Sequence, residues 1–493
     1  MTVTTIKKSH EPQQVRLTKI VVTLGPSLDD ETMLRKVMVA GASVFRANFS
    51  HGSADDHAKR INAVRKIATE LKTEVAILAD LQGPKIRVSR FKQKKVELQD
   101  GQTFILDASL ENDQGDETHV GIDYKELPHD VHVGDTLLLD DGKIVFTVKN
   151  VEGPRITCLV VNGGELSNNK GINRQGGGLS APALTEKDCE DLKTALKLGA
   201  DYIAVSFPRS AADIFEARIL IKAAGGNAKI IAKIERAEAV PVIDEIIKAS
   251  DGVMVARGDL AVEIGDAEVP AVQKLMIMRA RALNKPVITA TQMLESMITC
   301  PVPTRAEVSD VANAVLDATD AVMLSAETAT GKFPDKAVET MVRIALTVEK
   351  NPAMGGAIHT HEVDPMVHHV DEAIARATMY TANHLNITAI IAMTESGSTP
   401  LWMSRVSAHI PIYALSRNIP TQRIVALYRG VYPVHFDATK VEKRDIIKEA
   451  VKTLQRLGLL KEGDRVILTK GDMAGIHGKT NTMKIVEVGS LDS

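Results

Sequence analysis

Two short stretches carry residue types that could do phosphate chemistry. Ile230-Ile-Ala-Lys-Ile-Glu235 is an apolar run that ends in Lys233 and Glu235. Val253-Met-Val-Ala-Arg-Gly-Asp259 is a second, ending in Arg257, Gly258 and Asp259. Each begins as a strand buried on both faces and breaks into charge at its C-terminal end. In a parallel barrel of alternating strands and helices, that end is where active sites lie. Two carboxylates from neighbouring strand ends can hold one hard divalent cation, and a lysine beside them adds a fixed positive charge. That combination suits a substrate carrying both phosphate and carboxylate. The alternative for either stretch alone is a salt bridge at a barrel rim.

The elements that must position these residues alternate regularly. Strands are expected at Lys19–Leu24, Ala42–Phe45, Val75–Ala79, Tyr202–Ser206, Lys229–Ala232, Gly252–Val255, Pro286–Thr289 and Ala321–Leu324. Helical patterns separate them, among them Asp55–Leu71, Glu186–Leu198, Ala212–Ala223, Ala237–Ala249 and Val272–Leu283, with Asp29 or Asp30 capping the first helix. This is the pattern of an α/β (β/α)8 TIM barrel, with a doubly wound open sheet as the competitor. Between Gly83 and Gly178 the texture changes to short β-type runs with turns such as Asp141-Gly142. An all-β lid domain inserted after the third barrel strand is expected, with Gly176-Gly-Gly178 as hinge. From about Glu372 onward, helices and strands alternate again as an open α/β unit. The expected division is an arm at 1–15, barrel at 16–83, inserted β-barrel lid at 84–178, barrel at 179–352 and a C-terminal α/β regulatory domain at 365–493.

Composition narrows the class without specifying the chemistry. The 493 residues are 44% hydrophobic and 25% charged with a net charge of −3, so nothing favours nucleic acid or a membrane surface. Cys158, Cys189 and Cys300 are widely spaced and odd in number, which fits a reducing compartment. Neither a signal peptide nor a membrane span is legible, and a cytoplasmic location is expected.

Several motifs together resemble the pyruvate kinase family. They are Thr18-Lys-Ile-Val-Val-Thr-Leu-Gly-Pro26, Phe45-Arg-Ala-Asn-Phe-Ser-His-Gly52, Ala79-Asp-Leu-Gln-Gly-Pro-Lys-Ile-Arg87, the 253–265 stretch, Ala290-Thr-Gln-Met-Leu-Glu-Ser-Met297, Pro303-Thr-Arg-Ala-Glu307 and Met323-Leu-Ser-Ala-Glu-Thr328. The resemblance runs from about residue 16 to the C-terminus, and Ser167-Asn-Asn-Lys-Gly-Ile-Asn173 looks most like the bacterial enzymes. It implies transfer of the phosphoryl group of phosphoenolpyruvate to ADP, giving pyruvate and ATP in glycolysis. It also implies Glu235 and Asp259 as ligands of Mg2+ (or Mn2+), Lys233 as the cation meeting the phosphoryl group, and Arg46 as the grip on the substrate phosphate. The backbone of Ala256, Arg257, Gly258 and Asp259 would receive the substrate carboxylate at a helix start, with Gly258 permitting close approach. Thr291 would stand beside the methylene carbon that is protonated. Arg87 and Lys170 match nucleotide-phosphate contacts, Asn48 and His51 line that site, and Asp141 is a weaker lid contact.

Two regions depart from the family pattern or vary within it. Asn48, Ser50, Asp80 and a backbone carbonyl at Leu81 match a K+ cage, but Lys85 stands where K+-requiring members carry Glu. Its ammonium is expected to replace the ion, making the enzyme K+-independent. Ala261 replaces the usual Gly, which would strain a position needing positive φ, and is expected to be tolerated. Thr394-Glu-Ser-Gly-Ser-Thr399 resembles the family's effector-phosphate loop, so Thr394, Ser396, Gly397, Ser398 and Thr399 would cradle a phosphorylated small molecule. Glu395, where some members have Lys, points to a monophosphate. A homotetramer is the family norm. An aldolase or a phosphoenolpyruvate mutase could share the metal pair, but would not need Arg87, Lys170 and a lid over ADP. A catalytically dead paralogue is disfavoured because Lys233, Arg46, Glu235 and Asp259 are all present.

Overall fold

A computed structural model describes residues 15–350, 367, 369–406, 409–472 and 478–490. Residues 1–14 of the expected arm and nearly all of the polar stretch 354–370 lie outside the described residues.

Eight parallel strands close into a barrel. They are Lys19–Thr23, Val44–Asn48, Ala76–Asp80, Tyr202–Val205, Lys229–Ile234, Gly252–Ala256, Val287–Ala290 and Ala321–Leu324, the last pairing with the first. Closure removes the sheet edges that an open doubly wound sheet would keep. Burial on both faces explains why the strands read as nearly continuous apolar runs: one set of residues packs under the outer helices and the other fills the interior.

The helices begin where local chemistry starts them. Thr32 N–H donates to Asp30, which is therefore the cap of Glu31–Ala40. Ser53, Thr185, Ser210 and Thr304 form reciprocal capping boxes with Asp56, Asp188, Asp213 and Glu307. The helix expected over 237–249 is two pieces, Ala237–Ala239 and Ile243–Ala249. Pro241 lies in the break, where it lacks the N–H that a continuous helix would need.

The insertion is a mostly antiparallel β domain with its own apolar core, built on a six-stranded and a two-stranded sheet. The short strands His119–Gly121, Gly164–Ser167 and Ile172–Arg174 were not legible as runs, since three or four residues show too little alternation. On the return path Gly176, Gly177 and Gly178 all take positive φ (80°, 78° and 89°), a sequence of conformations open chiefly to glycine.

The C-terminal unit is a five-stranded sheet whose last strand, Thr480–Glu487, runs antiparallel to Arg465–Gly471. It docks on the end of the barrel opposite the charged strand termini. The barrel interior and the docking helices share one apolar cluster, from Val21 and Met254 to Met379 and Val425. Buried ion pairs stitch the seam: Arg405 binds Asp320, while Arg429 lies 3.5 Å from Glu349. Tyr202, the first residue of its barrel strand, donates its hydroxyl to Ile424 O at 2.7 Å. No helix among the described residues is long and apolar enough to cross a membrane.

Candidate active site

At the C-terminal ends of the second to sixth barrel strands, alternating charges lie buried against one another. Asp80 is fully buried, with Oδ2 2.6 Å from Arg46 Nε and Oδ1 3.1 Å from Lys233 Nζ. Burial pushes its pKa up, but Lys233 and Arg46 outweigh that and hold it below the ordinary carboxylate value. Lys233 Nζ also lies 2.9 Å from Glu235 Oε1 and donates to Ser206 Oγ at 2.7 Å. Burial alone would lower its pKa; Asp80 and Glu235 raise it to about 12, so Lys233 stays an ammonium at any working pH. Arg46 is steadied by a second bond, NH1 to Thr23 Oγ1 at 3.1 Å.

Glu235 is buried, and its Oε2 accepts from Phe207 N–H at 2.9 Å. Burial raises its pKa against the pull of Lys233, and the neighbouring charges of Asp259 and Asp80 add to the rise. A concentration of negative charge at neighbouring strand ends is what a cation relieves. Two carboxylates are also the protein donor set that Mg2+ accepts, because it keeps waters and takes substrate oxygens for its remaining positions. The residues present therefore fit a divalent cation on Glu235 and Asp259.

Lys85 is not placed in the expected cage. Its Nζ lies 2.8 Å from Asp259 Oδ1 and 3.9 Å from Asp141 Oδ1. Burial opposes its charge, but Asp259, then Asp141 and Glu235, raise its pKa. The physical reason is local charge balance: Asp80 already has Arg46 and Lys233, so the ammonium turns to Asp259. Of the other expected cage members, Asn48 Oδ1 accepts from Ser50 N–H at 3.2 Å and Leu81 O accepts from Ser206 Oγ at 2.7 Å.

The turn after strand Val287–Ala290 brings Thr291 to the start of helix Arg257–Ile264, where Gly258 N–H donates to Thr291 Oγ1 at 2.8 Å. Gly258 does not have positive φ, and an added Cβ would meet Thr291 at an ordinary 3.7 Å, so the protein itself does not demand glycine there. Ala261 lies inside the helix without positive φ, so alanine is accommodated there, as expected. The Arg257 side chain is turned away from a substrate role, bound to Asp310 and to the carbonyls of residues 290–292.

The two chains leading into and out of the lid run side by side, bridged at Arg87 and Gly171, which brings Arg87 next to Lys170. Arg87 NH1 donates to Asn169 O at 2.8 Å, and Lys170 Nζ pairs with Asp140 Oδ1 at 2.7 Å. His51 faces the same charges: burial, then Arg87 and Arg46, lower its pKa, so it is neutral near pH 7. Asp141 sits exposed in a left-handed turn beside Lys85.

In the C-terminal domain Gly397, at φ 84°, precedes helix Ser398–Arg405, and its N–H donates to Thr394 Oγ1 at 2.9 Å. Ser396 Oγ and Ser398 Oγ are 3.1 Å apart. Thr394, Ser396 and Ser398 line an open cleft with Arg417, Lys443, Lys470 and Lys479. Thr399 is buried against Thr480, 2.9 Å between hydroxyls, and is better described as the wall behind the loop. Glu395 turns to Asn418 Nδ2 at 2.7 Å and Arg417 at 3.5 Å, so its charge is already answered within the protein.

Sequence reasoning missed Ser206, Phe207, Thr23 and Asp310. The first three lie at C-terminal ends of barrel strands and were open to a rule that singles out every polar or irregular residue there. Asp310 sits on an outer helix, and nothing local marks it.

A closed barrel with buried, alternating charges at the C-terminal ends of its strands is the arrangement of a barrel enzyme, and comparison with known sequences specifies its class. Residues 15–338 match the family described as pyruvate kinase, barrel domain, and residues 372–486 match pyruvate kinase, alpha/beta domain. Pyruvate kinase II of Salmonella typhimurium is 56% identical over 480 residues, 97% of this chain and 99% of that protein. The pyruvate kinases of Buchnera aphidicola from Acyrthosiphon pisum and of Haemophilus influenzae are 53% and 52% identical, each over 96% of this chain and 99% and 100% of theirs. The chain belongs to the pyruvate kinase family. It is thus a phosphotransferase, with the family's substrates phosphoenolpyruvate and ADP and its general dependence on a divalent metal.

Proposed function

We propose that this chain transfers the phosphoryl group of phosphoenolpyruvate to ADP with Mg2+ on Glu235 and Asp259, without a requirement for K+, in cytoplasmic glycolysis. The observation that carries the catalytic part is the ammonium of Lys233, buried between Asp80, Glu235 and Ser206 and held charged. A group with a pKa near 12 does not act as a base; it stabilises charge on a phosphoryl group in transit. When bound, Mg2+ supplies Lewis-acid stabilisation of the developing enolate. Arg46, fixed by Asp80 and Thr23, presents its fork to the phosphate. The backbone at 256–259 receives the carboxylate at a helix start, and Thr291 stands by the methylene carbon. Arg87, Lys170, Asn48 and His51 form the nucleotide side, under a lid spanning 84–178.

K+ independence rests on the lysine at position 85, where K+-requiring members carry Glu, although its ammonium lies at Asp259 and not in the cage. Regulation by a phosphorylated small molecule is supported by the cleft at 394–399 and its four cationic side chains. A homotetramer completes this reading.

The test is pyruvate formation from phosphoenolpyruvate and ADP with Mg2+, with and without K+, in buffers whose only monovalent cation is a bulky organic ammonium. Equal activity in both is expected. Activity only with K+ would remove the role given to Lys85.

A further inference from the structure

We propose that Asp310, on the outer helix Arg305–Leu316, is a positioning residue. It locks the Arg257 guanidinium so that Arg257 clamps the turn carrying Thr291 to the reaction site. The inference rests on the reading of Thr291 as the residue beside the carbon that is protonated.

The turn needs holding. Thr291, Gln292 and Leu294 take φ of 65°, 54° and 56°. Left-handed backbone is unfavourable for residues with a Cβ, most of all for a β-branched one such as Thr291. Three such residues within four positions persist only where the surroundings over-determine them.

Arg257 supplies that determination. Its Nε lies 3.2 Å from both Ala290 O and Thr291 O, and its NH2 lies 2.6 Å from Thr291 O and 3.3 Å from Gln292 O. One side chain thus binds three successive carbonyls of the strained turn. Arg257 directly precedes Gly258, whose N–H holds Thr291 Oγ1, and Asp259, the candidate metal ligand. The guanidinium therefore ties the substrate-carboxylate turn to the protonation turn.

Asp310 fixes the plane of the fork. Its two oxygens take Arg257 NH1 at 2.6 Å and NH2 at 2.8 Å, a bidentate, charge-assisted pair. The other side-chain partner, Gln273, is neutral and accepts a single long bond of 3.4 Å. Without Asp310 the guanidinium could rotate off the carbonyls, and the turn would lose the contact that offsets its strain.

The test uses the full-length protein with Mg2+ and ATP and follows exchange of pyruvate methyl protons with deuterated water, alongside phosphoenolpyruvate KM and kcat. Asp310→Asn is expected to slow exchange about tenfold or more while KM changes less than about twofold. Asp310→Glu, which keeps the charge and guards against a folding defect, should recover part of the loss. Arg257→Lys combined with Asp310→Asn should be no slower than Arg257→Lys alone, since Asp310 acts through Arg257. Full additivity of the two losses would overturn the proposal. So would wild-type exchange in Asp310→Asn when Thr291→Val is impaired. Exchange lowered in Asp310→Asn but normal in Thr291→Val would instead overturn the reading of Thr291 on which the clamp depends.

Discussion

Lys85 Nζ lies 2.8 Å from Asp259 Oδ1, so a residue at the root of the lid is ion-paired to a candidate metal ligand on the barrel. Asp141 of the lid is 3.9 Å from the same ammonium, which makes Lys85 a bridge between the two bodies. Lys85→Glu should therefore lower activity without K+ by about tenfold to a hundredfold, with K+ restoring much of it, because the reversed charge recreates a need for a cation. Initial rates with and without K+ decide the matter, and a variant equally active in both would refute the lysine's role.

Lys233→Met removes the ammonium but keeps most of the side chain's length. It should lower kcat by about a hundredfold to a thousandfold or more, with a smaller change in phosphoenolpyruvate KM, as for a group acting mainly in the transition state. It also leaves Asp80 and Glu235 without their shared cation. Circular dichroism must accompany the kinetics, and near-normal kcat in a folded variant would sink the assignment.

Ser398 begins the helix at the basic cleft of the C-terminal domain. Ser398→Asp places a carboxylate where a phosphate would sit, so a half-maximal response to phosphorylated effectors should need about tenfold more ligand or more, with basal activity unchanged. Titrations with a panel of sugar and nucleoside monophosphates test this. An unaltered response throughout would reduce the loop to a helix cap.

Glu263, beside the lid hinge, has its pKa raised from 4.5 to about 7, chiefly by burial. Its backbone O accepts from Gly176 N–H, and its Oε2 accepts from Ala237 N–H at 2.8 Å. The folded state holds this proton more tightly than the unfolded chain. Below the unfolded value of 4.5 there is no penalty, and stability falls as pH climbs from there to about 7. The loss is at most about 3 kcal/mol and complete above that window. Glu263→Gln should flatten this fall, so its unfolding midpoint should gain on wild type between about pH 5 and pH 8. An identical offset at both would show that Glu263 does not titrate in that range.

Much was legible in the chain itself. Strand Ala321–Leu324 matches its expected bounds and Lys19–Thr23 lies within a residue of them, because strands buried on both faces must be written as apolar runs. Charge at the ends of such runs has no place in a core, which is why Lys233, Glu235 and Asp259 stood out. The three-residue lid strands and the break at Pro241 were less legible, since short elements leave little period to read.

What the sequence determined by itself was the set of elements, their alternation, and the residue types at each strand end, all properties of local pattern and propensity. Only the tertiary structure decided the partners. Asp80 lies against both Arg46 and Lys233, and Lys85 goes to Asp259 instead of the cage. The Arg257 side chain goes to Asp310, fifty-three positions away in the chain. Ion pairing depends on distance in space and on which neighbours are already neutralised, and neither quantity is written in the spacing of residues along a chain.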